Sequence, residues 1–258
     1  MRMVLPMRTL TGQDELDCTA GPGPTTRLVA LLSQLEAVAE PRTLPLPEWE
    51  SALLDLRATL LGPRVEAHVV CGACGAGAML AFDTTALPRE AMAVPASPLP
   101  LHPLCAGDLA DLEATGLMGQ EGLVFLLTRA THCTAADAEA ALCGAGAEAL
   151  SAALETLAGG LGIELTTDCP SCGAAVAAPF DVAAFVDAEM QARAQRLLDE
   201  VHLIASTYHW AEQAILAMPV ERRQAYLARI LAARAVPELG PGDLAGAVGG
   251  SSRLGEVA

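Results

Sequence analysis

The chain has 258 residues, with 31 acidic against 15 basic side chains and a formal net charge of −16. Lysine is absent, so every lysine or arginine position is arginine, and asparagine is absent too. These absences exclude P-loop and Schiff-base lysine chemistry and N-glycosylation. Strong acidity with only 3% aromatic residues argues against nucleic acid or an anionic membrane surface as a partner.

Abundant Ala, Gly, Pro and Arg alongside the missing Lys and Asn reads as the bias of a GC-rich genome, so arginine content carries no thermostability argument. The longest uncharged stretch, 91–107, contains Pro95, Pro98, Pro100 and Pro103 and is too broken for a membrane span. The N-terminus lacks an adequate apolar segment before Gln13, Asp14 and Glu15, so no signal peptide is expected. A reducing bacterial cytoplasm follows as the expected compartment, where eight cysteines suggest metal ligands or free thiols before disulfides.

Residues 1–25, with Gly21-Pro22-Gly23-Pro24, read as an irregular lead. Over 26–39, Leu28, Leu31, Leu32, Leu35 and Val38 recur at helical spacing, predicting an amphipathic helix closed by Pro41. A second helix is expected over 47–61, with Pro47 in its first turn and Gly62-Pro63 beyond its end. Residues 64–83 and 163–181 have the texture of strands around turns. Between them lie a Pro-rich connector (88–103), helical stretches near 107–115 and 121–131, and Ala-rich helices over 135–158 closed by Gly159-Gly160. Asp181 then caps a long helix bearing Val182, Phe185, Val186, Met190, Leu197, Val201 and Ile204. A break near His209 leads to a short helix at 211–217 and another after Pro219. Residues 236–258 read as a disordered tail.

The most informative pattern is a repeat. Residues 71–83, CGACGAGAMLAFD, align without a gap on residues 169–181, CPSCGAAVAAPFD, with six of thirteen positions identical. Each unit reads as strand, C-x-x-C-G turn, strand. Such a turn lets two thiolates grip one cation while backbone amides donate to sulfur, and glycine takes a conformation costly for other residues. Two thiolates fill half a tetrahedron, so Cys71, Cys74, Cys169 and Cys172 are expected to share one structural zinc despite the 94 residues between Cys74 and Cys169. Two other readings stay open: a thioredoxin-like redox pair, which would sit at a helix N-terminus, and cysteines left without metal.

His68 could substitute for one ligand or stand as a solvated strand residue. Cys105, Cys133 and Cys143 lack partner spacing and read as small buried residues; Cys18 reads as that or as an exposed thiol. His132-Cys133 suggests a dyad, but sequence neighbours usually point apart. No motif for an enzyme is found. A second region, 199–231, gathers Tyr208, Trp210 and Tyr226, three of the four Trp and Tyr residues, beside Arg222 and Arg223. These residues either lock a helical corner or form a docking face, since Trp, Tyr and Arg dominate interface hot spots.

Taken together, LGPRVEAHVVCGACG (61–75), IELTTDCPSCGAAVAAPFD (163–181) and LLDEVHLIASTYHWAEQAILAMPVERRQAYLARI (197–230) resemble the baseplate hub assembly chaperone family of T4-like phages, also found in contractile injection system clusters. The resemblance covers about 26–235 and is most specific in its Y-x-W turn and R-R-x-x-Y-L ending. It implies a non-enzymatic cytoplasmic factor that assembles the hub or spike of a contractile tail. The matching residues are the four knuckle cysteines with Tyr208, Trp210, Arg222, Arg223, Tyr226 and Leu227. Ala211 departs from the hydroxyl residue often found after the tryptophan, and 84–107 is longer and richer in proline than the pattern.

The expected fold is therefore α+β, mainly helical, with a split four-cysteine zinc ribbon formed by two β-hairpin knuckles. One domain spans 26–235 and closes with a helical hairpin at 181–235. The expected function is that of an assembly factor acting on baseplate hub or spike proteins, with no nucleic acid or membrane partner. A permanent, particle-associated baseplate subunit is the alternative, and a zinc-ribbon regulatory or nucleic-acid module a third.

Overall fold

The computed structural model describes residues 7–235, and the tail expected over 236–258 lies outside that range. Three helices open the fold: α1 (Gly12–Asp17), α2 (Pro24–Gln34) and α3 (Leu46–Leu61). A hairpin of β1 (Arg64–Val70) and β2 (Gly77–Asp83) follows, then α4 (Ala106–Thr115), α5 (Gly119–Thr131), α6 (Ala135–Cys143) and α7 (Ala147–Ala158). The second hairpin, β3 (Glu164–Asp168) and β4 (Ala175–Pro179), leads into α8 (Val182–Tyr208), α9 (Glu212–Leu216) and α10 (Val220–Ala235). The architecture is mixed helix and sheet, each sheet an antiparallel pair. No helix among the described residues is long and apolar enough to cross a membrane.

Local chemistry explains most boundaries. Pro24 starts α2 with its φ already preset. That helix stops at Gln34, short of the predicted end, because Glu36 takes φ 54°. The amides of Glu36 and Ala37 then bond back to the carbonyls of Ser33 and Leu32, each at 3.1 Å, a Schellman closure. Asp181 accepts the Ala184 amide at 2.9 Å to start α8, as expected. His209, at φ 56°, ends α8. Ala211 starts α9 without a side-chain cap.

The lead read as irregular holds α1, a correction with an electrostatic cause. Its six residues have no apolar stripe to announce them. The helix is held by a capping box between Thr11 and Asp14 and by its acids. Burial alone would raise Asp14, but the Arg8 guanidinium at 2.6 Å and the bonds from Thr11 outweigh it and hold the carboxyl at about 2. Glu15, 1% exposed, binds Arg193 at 2.9 Å and also Arg223. A Cβ at Gly12 would meet Arg223 Nη1 at 3.0 Å and the Leu216 backbone at 3.1 Å, so glycine lets α1 close on its neighbours.

The main core packs Leu28, Leu31 and Leu32 of α2, Trp49 and Leu53 of α3 and Leu127 of α5 against the first half of α8. A smaller core joins Leu197, Val201 and Ile204 of α8 to Ile215, Leu227 and Ile230. Helix α8, 27 residues or about 40 Å long, runs through both. It carries charge as well as apolar side chains. Asp187 accepts from Arg27 Nε and Nη2 at 2.8 and 2.6 Å, and Glu189 accepts two bonds from Arg57 at 2.9 Å each. Arg193 and Glu200 reach Glu15 and Arg223. Four of its charged residues thus pin α2, α3, α1 and α10 in turn. Burying such charges is tolerable only because each is paired.

Candidate metal centre

The sequence repeat becomes a geometric one. In the first hairpin the Cys71 amide donates to Ala76 O and the Gly75 amide to Cys71 O, both at 2.9 Å. In the second, Cys169 donates to Ala174 O and Gly173 to Cys169 O, again at 2.9 Å. Gly75 and Gly173 sit at φ 73° and 71°, the left-handed region that explains glycine after each second cysteine. Ladders from Arg64↔Asp83 to Val70↔Gly77 and from Glu164↔Pro179 to Asp168↔Ala175 carry the two tips.

The hairpins face one another, with β2 beside β3 and β1 beside β4. Exchanging the hairpins maps one contact onto the other, so the pair has approximate two-fold symmetry. Repeat-equivalent Phe82 and Phe180 meet edge to face at 5.3 Å, which brings the two Phe-Asp endings together. At the tips all four sulfurs lie within 4.8 Å of one another. Cys71 and Cys172 lie 3.8 Å apart and Cys74 and Cys169 3.6 Å, two contacts that the same exchange interconverts. A tetrahedron of sulfurs about 2.3 Å from one ion has edges of about 3.8 Å. The donor set therefore fits a single tetrahedral metal ion. Cys71 and Cys169 are buried against Val176, while Cys74 and Cys172 face solvent.

The thiols hold their protons unequally. Backbone amides of Cys172 and Ser171 donate to Cys169 and lower it to about 6. The Ala76 amide favours the Cys74 thiolate, but contacts with Cys172, Cys169 and Cys71 together outweigh it and raise that thiol to about 12. Four thiolates this close cannot all carry charge without a cation among them.

The remaining predicted residues divide. His68 is exposed on the outer face of β1, opposite Met79, and does not belong to the sulfur cluster. Cys18 is buried, its thiol donating to Glu15 O at 3.0 Å, and burial raises it to about 11; the exposed-thiol alternative is set aside. Cys105, which contacts Asp108 at the start of α4, and Cys133 are only half-buried and Cys143 is exposed, a correction to the reading of all three as buried. His132 caps α5 at φ 58° and lies 5.1 Å from the His102 ring, while the Cys133 thiol donates to Thr134 O at 3.4 Å.

Tyr208, Trp210 and Tyr226 form one aromatic cluster. Tyr208 stacks on Trp210 at 4.9 Å, and Trp210 meets Tyr226 edge-on at 4.9 Å. Arg222 is exposed. Arg223 is corrected: it is 1% exposed and donates to Glu15, to Glu200 at 3.2 Å and to Met218 O at 3.0 Å, so it braces the interior and has no surface to offer a partner. The sequence reading missed the buried ions Glu15, Arg57 and Asp187, the last held by half-buried Arg27. The one signal was the position of Asp187 between the core residues Val186 and Met190. Comparison with family models, with curated proteins and with solved structures finds no match to this chain.

Proposed function

We propose that the four cysteines hold one structural zinc ion and that the chain is a non-enzymatic assembly factor for the baseplate hub of a contractile tail or tail-like injection system, acting in the bacterial cytoplasm. The carrying observation is the convergence of Cys71, Cys74, Cys169 and Cys172 from hairpins far apart in sequence. An all-sulfur tetrahedral set suits zinc among the divalent ions. Zinc bound there supplies a cross-link and no reaction chemistry, because four thiolates leave no open position. Cys71 and Cys169 anchor it from inside, Cys74 and Cys172 close it from outside, and the two hairpins become one split ribbon.

Other features support a scaffold over a reaction centre. A cavity of about 630 Å³ beside the second hairpin is lined by Glu50, Glu113 and Asp181, residues that suggest acid–base work. Each of these three is already engaged in structure, and the fourth acidic lining residue, Glu164, is exposed at the start of β3. Glu50 accepts the Leu161 amide at 2.7 Å, Glu113 those of Thr25 and Thr26 at 2.8 Å each, and Asp181 that of Ala184. The baseplate part of the reading rests on the resemblance of 61–75, 163–181 and 197–230.

Two measurements test the proposal. Metal analysis of native protein purified under reductant is expected to give one zinc per chain; none would overturn the metal assignment. Co-expression with the tail genes of the same cluster is expected to co-purify a hub or spike protein. An assembly factor is absent or substoichiometric in finished particles, so full occupancy there would replace it with a permanent subunit.

A further inference from the structure

Arginine pairing is unevenly distributed over the molecule. Arg8, Arg27, Arg42, Arg57, Arg64, Arg89, Arg129, Arg193 and Arg223 each form an ion pair. Among the described residues Arg196, Arg222, Arg229 and Arg234 form none, and all lie in the second half of α8 or on α10. This occurs in a chain with acids in twofold excess, 31 to 15. Carboxylates are abundant, yet these guanidiniums stand clear of them.

Two of the four share a face with the aromatic cluster. Residues 222, 226 and 229 are at i, i+4 and i+7 of α10, one side of a helix. Arg222 and Arg229 are exposed, and Tyr226 lies half-buried between them with Trp210 against its ring. Arg229 also donates to Ala225 O at 3.1 Å, which keeps its guanidinium along the helix. The face therefore presents two arginines whose Cα atoms lie about 10 Å apart along the axis, with a fixed aromatic surface in the middle.

We infer that this face of α10 docks an acidic segment of a partner protein, with carboxylates on Arg222 and Arg229 and an apolar side chain against Tyr226 and Trp210. The inference deepens the assembly-factor reading and rests on it for the existence of a protein partner. Arginine is suited to carboxylates because its planar fork donates two parallel bonds. A spacing of about 10 Å corresponds to three residues of extended chain. Successive side chains of an extended segment alternate sides, however. The nearest spacing that turns two acids and an apolar residue between them the same way is four residues, about 13 Å, as acid-x-apolar-x-acid, within reach of the flexible arginine arms. The net charge of the molecule does not prevent the approach, because screening limits its reach to about 8 Å at physiological salt and the local excess on α10 is positive.

The test uses a fluorescein-labelled peptide of three Glu-Ala-Phe-Glu repeats and the same peptide with Gln for every Glu, each titrated onto the full chain. Anisotropy and the emission of Trp210 report binding; the other tryptophan, Trp49, is 1% exposed. The Glu peptide is expected to bind at least about tenfold more tightly than the Gln peptide, and added salt should erase the difference. Arg222→Gln with Arg229→Gln is expected to cost about tenfold, with circular dichroism and thermal midpoint unchanged. Arg64→Gln, on the distant first hairpin, should cost nothing. Equal binding of the two peptides, full affinity in the double variant, no binding of the Glu peptide up to about 1 mM, or tighter binding of single-stranded DNA would each overturn the docking face. A bound peptide without a co-purified hub protein would keep the face and remove the baseplate.

Discussion

The two hairpins and the helical body are held together on opposite plans. Between the hairpins the buried cluster is small, centred on Cys71, Cys169 and Val176, and four sulfurs meet at one point. Around α8 the attachment is spread along about 40 Å, through apolar packing and the pairs Arg27–Asp187, Arg57–Glu189, Arg193–Glu15 and Arg223–Glu200. A point attachment is lost whole; a distributed one loosens in parts. Local failure should therefore be confined at the ribbon and graded in the body.

The strongest test of this contrast is Cys71→Ser or Cys169→Ser. Either is expected to abolish stoichiometric metal, lower solubility and cost several kcal/mol. Hydrogen exchange should then accelerate across β1 to β4 while α2, α3 and α8 remain protected. Equal loss of protection in α8 would erase the distinction between the two plans. A zinc chelator should reproduce the effect in the native chain and add nothing to the Cys71→Ser variant.

Next comes Arg223→Met. It leaves Glu15 buried with only Arg193 and removes one anchor of Glu200. The expected cost is about 3–5 kcal/mol in denaturant unfolding, with metal content unchanged. Replacing Arg223 and Glu15 together by apolar residues should recover much of that loss, because no unpaired charge then stays buried.

A smaller effect belongs to Glu50. Burial lifts its carboxyl from 4.5 to about 7, the Leu161 amide opposing. Folded protein therefore holds this proton more tightly than unfolded chain does. Its contribution is fully present below pH 4.5 and is lost as pH rises through about 7. Glu50→Gln keeps an acceptor for Leu161 and should flatten that fall, leaving the variant more stable above neutrality by on the order of 1–3 kcal/mol. Unfolding midpoints from pH 5 to 8 in both proteins measure it; parallel curves would count against the assignment. The least costly change is Gly75→Ala or Gly173→Ala. Each forces a side chain into the left-handed region, costing roughly 1 kcal/mol, and should weaken metal retention in competition with a chromogenic chelator while leaving the helices intact.

The two plans also differ in how plainly they are written in the sequence. A C-x-x-C-G turn carries its chemistry within five residues, so the repeat pointed to both hairpins and to the convergence of Cys71, Cys74, Cys169 and Cys172. Helices α3 and α8 were legible because apolar periodicity and the Pro47 and Asp181 signals are local. Ion pairs have no such signature. Nothing near Glu15 announces an arginine 208 positions away, so α1 went unseen. Arg222 and Arg223 are identical in kind and adjacent, yet one faces solvent and the other is 1% exposed. Which of them turns inward depends on the phase of α10 against α8 and α1, a tertiary property. The early end of α2 is similar: Glu36 adopts its strained φ so that Ala37, 5% exposed, can join the core.

The separation of the two knuckles has a consequence for biosynthesis. Helices α4 to α7 are encoded between them, so a growing polypeptide presents Cys71 and Cys74 long before Cys169 exists. At about 5–20 residues per second the ribosome needs several seconds or more to supply the missing half. Closing the clasp can therefore only follow synthesis of α4 to α7, which it encloses and cannot nucleate, while α8 to α10 are still to be made.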